Sequence, residues 1–257
     1  MSLDFSLAGQ AALVTGSTRG IGLGIARAMA AAGASVVVSS ESAVDTEAAA
    51  ELLRGKGLDV RGIACDVTDP RAQATLVERT VASCGGLSVL VCNAGITGAP
   101  GPLATMEMAN FDRVMVLNLR SMVELTALAL PHVARRGGGS AILLSSISGL
   151  RGNGAINAYA LAKAGVAQLA RNLAVEWGPR NVRVNAISPG LIRTALSQPL
   201  LDNAAFMARR MQMTPLRRPG EVDEVAGAAV FLASAAGGFI TGHNLVVDGG
   251  TVITDGS

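Results

Sequence analysis

The sequence predicts an α/β fold in which helices cover both faces of one parallel sheet, a doubly wound three-layer sandwich. Three observations carry this expectation. Short apolar runs alternate with helical stretches of about twelve residues or more, half of the 257 residues are apolar, and the first apolar run ends in a glycine-rich turn. Strands buried on both faces read as continuous apolar runs, and the helices between them supply the crossovers that parallel pairing needs. Ala11-Ala12-Leu13-Val14 is the first strand, followed by an alanine-rich helix over 21–32 that Gly33 closes. Val36-Val37-Val38 is the second, with a helix over 45–53 after it. A third strand is expected over 60–65 with Asp66 at its end, then a helix over 70–83 and a fourth strand over 87–92, stopped by Asn93-Ala94-Gly95. A long helical stretch follows over 108–134, with a break near Asn118. Strands over 140–144, 182–187 and 244–247 and helices over 157–176 and 221–233 complete the alternation. No linker divides the chain, so a single domain is expected over 1–257. Residues 191–219 stand apart, with no strand and several apolar side chains in a polar setting, and read as a substrate-binding lid.

Composition narrows the function. The charge balance is +2, and no basic run carries interleaved aromatics, so a nucleic-acid partner is not expected. Cys65, Cys84 and Cys92 lack close metal-ligand spacing and read as buried free thiols in a reducing compartment. His132 and His243 are the only histidines, and neither has a nucleophile or ligand at useful spacing, so no metal site is expected. Asp4 stands where a basic-then-apolar leader would begin, and no stretch reads as an unbroken membrane span. A cytoplasmic location without membrane attachment is the resulting expectation.

Two patterns carry chemistry. The turn Thr15-Gly16-Ser17-Thr18-Arg19-Gly20-Ile21-Gly22 joins the first strand to the first helix. A strand, a glycine turn and a helix N-terminus in that order can seat a pyrophosphate against backbone N–H groups. The spacing is G-x-x-x-G-x-G, different from the common G-x-G-x-x-G fingerprint. Farther on, Tyr159, the only tyrosine, stands four residues before Lys163. An ammonium at i+4 on one helix face is expected to lower the phenol pKa and fit it for acid–base work. Alone, Tyr159 would read as a packing tyrosine and Lys163 as a solvated charge. Their agreement with Ser146, thirteen residues upstream at a strand end, and with Asn118 favours a catalytic set. Ser145 competes with Ser146 for the serine role.

These motifs together resemble the short-chain dehydrogenase/reductase family, from the first strand to the C-terminus. The likeness rests on the glycine turn, Asn93-Ala94-Gly95, Asn118, Ser146, Tyr159-x-x-x-Lys163, Pro189-Gly190 with Thr194, and Asp248-Gly249-Gly250. Cys92 departs from it, standing where the family usually has another asparagine. The resemblance implies a Rossmann-like sandwich with a seven-stranded parallel sheet, and hydride transfer between NAD(P)(H) and a ketone or secondary alcohol. It implies Tyr159 as acid or base and Ser146 as a donor to the substrate oxygen. Lys163 is implied to stabilise tyrosinate and bind the nicotinamide ribose, and Asn118 to hold a water through its backbone. A 3-oxoacyl thioester reductase is the alternative, and a catalytically silent dinucleotide-binding protein the reading of another class.

The expected cofactor cradle comprises the turn residues from Thr15 to Gly22, then Ser40, Glu41, Asp66, Val67, Asn93, Ala94 and Gly95, with Pro189, Gly190, Ile192 and Thr194 near the carboxamide. Ser40 stands where an NAD-selecting aspartate is usual in the family. Glu41 would repel a 2′-phosphate, whereas Arg19 would attract one, and the balance leans slightly to NAD(H). Ser148, Leu150, Asn153 and Leu191 are the expected substrate contacts, with Arg151, Arg209 and Arg210 as candidate contacts for an anion. The family resemblance also implies a homo-oligomer, expected to be a tetramer built through the helices over 108–134 and 157–176 and the last strand.

Overall fold

The structure, a computed structural model, describes residues 4–254; the ends of the expected 1–257 domain lie outside the described residues. Among these residues seven strands form one parallel sheet in the order β3-β2-β1-β4-β5-β6-β7. The strands are β1 Ala11–Thr15, β2 Ser35–Ser39, β3 Val60–Gly62, β4 Val89–Cys92, β5 Gly139–Leu144, β6 Val182–Pro189 and β7 Asn244–Val247. Between them run α1 Gly20–Ala31, α2 Ala43–Arg54, α3 Pro70–Cys84, α4 Met108–Met115, α5 Ser121–Arg135 and α6 Asn157–Trp177. Two short helices, α7 Gln198–Leu201 and α8 Ala204–Gln212, precede α9 Val222–Ala233.

Strand geometry sorts the core. Successive side chains point to opposite faces, so Leu13 joins Val37 and Leu90 in the cluster under α3, α5 and α6. Ala12 and Val14 join Val36 and Val91 in the cluster under α1, α2 and α9. β1 pairs with β2 on one side and β4 on the other, so strand order reverses there. The crevice this reversal opens at the carboxyl ends of β1 and β4 is where open α/β sheets take ligands.

Several boundaries depart from expectation. β3 ends at Gly62, although the backbone continues beside β2 through Ile63 N–H to Val38 O and Cys65 N–H to Ser40 O. β4 begins at Val89 because the Ser88 hydroxyl, not only its backbone, bonds both the N–H and the carbonyl of Ala11. β6 extends to Pro189, paired with Val247 of β7. The expected break near Asn118 is a π-helical turn, Val116–Arg120, which joins α4 to α5 without interrupting the rod. That corrects the expectation about membrane-length stretches: Met108–Arg135 is long and apolar enough to span one, with mean hydropathy 1.4 over an 18-residue window. Here its apolar face is spent on the core, where Val114, Met122, Leu125, Ala129, Leu130 and Val133 are buried. Cys84 is half-buried, whereas Cys65 and Cys92 are buried as expected. Residues 191–219 hold α7 and α8, neither of which has a buried residue. The base of that segment is closed by Arg193 N–H to Gly220 O and Gly220 N–H to Leu191 O, both 2.9 Å.

Candidate active site

The glycine turn is shaped by contacts that leave no room for a side chain. Gly16 lies in the left-handed region at φ +60°, and a Cβ on it would stand 2.7 Å from Ala94 Cα. A Cβ on Gly22 would stand 2.2 Å from Gly16 O and 2.5 Å from Asn93 Nδ2. Asn93 is the clamp: its Nδ2 donates to Thr15 O at 3.0 Å and to Gly16 O at 2.8 Å. Thr15 Oγ1 accepts from Asn93 N–H at 3.1 Å. Ser17 is fully buried, donating to Val14 O and accepting from Ser39 N–H. The structure therefore places Thr15 and Ser17 behind the turn as its supports, while Thr18, Arg19, Gly20, Ile21 and Gly22 line the cleft.

That cleft has a volume of about 560 Å³. It runs from Ser40, Glu41, Asp66 and Val67 at one end, past Gly20 and Asn93, to Gly95 and Thr194 at the other. A chain of backbone donors at the start of α1 and an elongated cleft of this kind suit a dinucleotide. Ser40 is buried with its hydroxyl 3.0 Å from Thr46 Oγ1, and Asp66 Oδ1 accepts from the Thr68 N–H and hydroxyl at 2.8 Å each. Pro189 ends β6 and Gly190 follows it, where a Gly190 Cβ would stand 2.7 Å from Asp248 Cβ. Ile192 is buried, and Thr194 caps the next short helix while its Cγ2 approaches Gly20, 3.6 Å from where a Cβ would lie. Sequence reasoning missed Asp45, Cys65, Thr68, Arg113, Leu117 and Ala195 as lining residues. Asp45, in the first turn of α2 just after Glu41, and Cys65, Thr68 and Ala195, next to residues already named, were findable; Arg113 and Leu117 come from elements whose approach no local pattern records.

The four expected catalytic residues gather at the Gly95 end. A Cβ on Gly95 would lie 3.1 Å from Asn118 Oδ1 and 3.7 Å from Lys163 Nζ. Asn118 braces the 93–96 loop, its Oδ1 accepting from Ile96 N–H at 2.8 Å and its Nδ2 donating to Ile96 O at 2.7 Å. Lys163 is buried, donates to Leu144 O at 2.6 Å and lies 5.5 Å from the Tyr159 ring centre. Ser145 is excluded as a substrate donor because its buried hydroxyl donates to Lys163 O at 2.7 Å. Ser146 keeps the role: its hydroxyl accepts from Ser148 N–H at 3.1 Å and acts to lower the pKa of the Tyr159 phenol.

Electrostatics here correct the i+4 expectation. Burial pushes the Tyr159 phenol above its ordinary pKa, and it is Ser146, not Lys163, that pulls it back. Burial also lowers Lys163 to about 8. Desolvation disfavours both charged forms, and it outweighs the attraction that the spacing alone predicts. Cys92, in turn, is raised to about 12 by burial, so it is a neutral thiol beside the lysine. On the substrate side, Ser148 and Leu191 are half-buried, while Leu150 and Asn153 are exposed. Asn153 Oδ1 accepts from Ala155 N–H at 2.9 Å, holding the loop that enters α6. Among the described residues, no group of three His, Cys, Asp or Glu could hold a metal.

Residues 16–252 match a family model described as enoyl-(acyl carrier protein) reductase. The chain is 37% identical over 245 residues to dehydrogenase/reductase SDR family member 4 of Pongo abelii, covering 95% of this chain and 88% of the relative. The chain belongs to the short-chain dehydrogenase/reductase family. Solved structures agree. A gluconate 5-dehydrogenase from Burkholderia cenocepacia in complex with NADP and tartrate superposes with a TM-score of 0.94 at 34% identity, covering 98% of each chain. A 7α-hydroxysteroid dehydrogenase complexed with NADH and 7-oxo glycochenodeoxycholic acid gives 0.93 at 35% identity over 97% of each chain. As a member of this family, the protein is an NAD(P)(H)-dependent oxidoreductase of carbonyl and alcohol groups.

Proposed function

We propose that Tyr159 is the proton donor and acceptor in the interconversion of a ketone and a secondary alcohol, with Ser146 holding the reacting oxygen. The observation that carries this reading is the meeting of Tyr159 with Lys163, whose Nζ lies 5.5 Å from the ring centre, beside Asn118 and the cleft residue Gly95. The dinucleotide, when bound, supplies or accepts the hydride. Thr18 to Gly22 would hold its pyrophosphate at the start of α1, and Lys163 its nicotinamide ribose. Tyr159 then gives its hydroxyl proton to the carbonyl oxygen in reduction or takes the alcohol proton in oxidation. Ser146 donates to the same oxygen, where charge develops in the transition state. A phenol kept neutral by burial is well placed as the acid of the reductive direction.

Replacing Tyr159 by Phe removes the transferable proton and keeps the ring. Turnover should fall by about 10²–10⁴-fold, while dinucleotide affinity, read by calorimetry, stays close to that of the unaltered protein. Substantial remaining activity would show that another group moves the proton. For the cofactor we infer a preference for NAD(H), because two carboxylates, Glu41 and Asp45, line the cleft end that holds Arg19. For assembly we infer a homotetramer. Exposed Val123 on α5, Leu161 and Val175 on α6, and Phe239 just before β7 support it, since they leave apolar surface on the elements named above.

A further inference from the structure

Gln73 stands in the first turn of α3 with no exposed surface, and its side-chain amide reaches two other parts of the chain. Its Nε2 donates to Val67 O at 2.6 Å and to Ser121 O at 3.0 Å. Both partners are carbonyls, so only the nitrogen end of the amide can serve them. Oε1 is left with no donor among the described residues. A buried acceptor without a donor costs stability, which an apolar side chain of similar length would avoid. The use of the amide therefore lies in the two carbonyls that it joins.

The first carbonyl belongs to the cleft. Val67 lines it between Asp66 and Thr68, in the turn that leads into α3. The second belongs to the residue on which the π-helical turn Val116–Arg120 closes. Ser121 N–H bonds Val116 O, five residues back. Its hydroxyl donates to Leu117 O at 2.6 Å, the carbonyl that an α-helix would pair with that same N–H. Leu117 lines the cleft, and Asn118 beside it is buried and holds both the N–H and the carbonyl of Ile96. One buried amide thus bonds the turn at the Val67 end of the cleft and the π-turn that braces the Gly95 end.

We propose that Gln73 is a positioning residue that couples the two ends of the cleft, so that filling the Val67 end steadies the π-turn presenting Asn118 to the 93–96 loop. The coupling rests on the dinucleotide placement given above, pyrophosphate at the start of α1 and nicotinamide ribose at Lys163, which leaves the adenosine the Val67 end. By linkage it is reciprocal, since a steadier π-turn raises affinity for whatever fills the other end. Hydrogen exchange followed by mass spectrometry on the full-length protein tests it with AMP, a probe that carries the adenosine and lacks the nicotinamide half. At saturating AMP the unaltered protein should exchange more slowly both at 65–69 and at 116–121. Gln73→Met keeps a side chain of similar length and removes both donors. In that variant the slowing at 116–121 should be lost while that at 65–69 remains, and AMP affinity read by calorimetry should fall about fivefold. Thr80→Val is the control: it too removes a buried hydrogen bond from α3, but one made to Leu76 O within the helix, and it should keep both effects. Should Gln73→Met fail to fold, Gln73→Asn, one methylene shorter, reaches at most one of the carbonyls and should lose the slowing at 116–121 likewise. Slowing there that survives in the Gln73 variants, or that never occurs in the unaltered protein, overturns the coupling. If AMP still slows exchange at 65–69, the dinucleotide placement stands even then; without that slowing the placement falls as well.

Discussion

The glycine turn at one side of the cleft and the α7–α8 segment at the other hold their shape in opposite ways. In the turn, backbone meets backbone: Gly16, Gly22 and Asn93 touch so closely that residue identity is dictated at each position. In the segment, no residue of α7 or α8 is buried, and the order comes from its two ends, the Leu191–Gly220 backbone pair and the 3.0 Å contact of Thr214 with Thr251. The first arrangement suits a ligand common to a whole family, and the second lets a substrate be chosen by changing exposed side chains.

Gly22→Ala is the sharpest way to break the comparison. Its new methyl would meet the Gly16 carbonyl at 2.2 Å, and that carbonyl is held by Asn93. Overpacking against fixed backbone costs about 3 kcal/mol or more, which for a chain of this size lowers Tm by roughly 6–12 °C. Thermal unfolding followed by circular dichroism checks this, and titration with dinucleotide should show weakened binding in parallel. A variant as stable as the unaltered protein would mean that the turn has slack and that the contrast with α7–α8 is false.

The same contrast explains what the sequence could and could not disclose. Strands such as Val36–Val38 were legible because burial on both faces demands continuous apolar residues. Gly16, Gly22 and Asn93 were legible because a steric requirement fixes them. The start of β4 was not, since the Ser88 side chain takes over part of its pairing, and neither were α7 and α8, which are short and have no fully buried residue. At the site, spacing gave the positions of Tyr159 and Lys163 but the wrong direction for the phenol. The i+4 rule describes a pair in water, and this pair is dominated by desolvation from the sheet and the Asn93–Ile96 loop.

A smaller effect is expected at the far end of the cleft, where neither steric demand nor deep burial operates. Glu41 is exposed and lines the cleft with Asp45 and Arg19. Glu41→Arg replaces a repulsion with a charge-assisted contact to a 2′-phosphate, and the NADH-to-NADPH affinity ratio should move towards NADPH by about tenfold or more. Side-by-side titration of the two dinucleotides reads it, with the unaltered protein expected to bind NADH more tightly. An unchanged ratio would place the Glu41 side chain away from the adenosine ribose.

The least effect on the fold belongs to Leu196, which is 69% exposed and yet lines the cleft. Truncation to Ala removes no core contact, so stability should change by no more than about 0.5 kcal/mol, a shift in Tm of roughly 1–2 °C. Binding is another matter, because a ligand that fills the cleft covers this side chain. Losing about 1 kcal/mol of apolar burial should weaken ligand affinity roughly fivefold. The pair of measurements decides what kind of element the segment is. A Tm drop approaching that of Gly22→Ala would show that it is packed as tightly as the turn. Unchanged stability with unchanged affinity would show that Leu196 faces water even when the cleft is filled, and that the segment selects its substrate through other side chains.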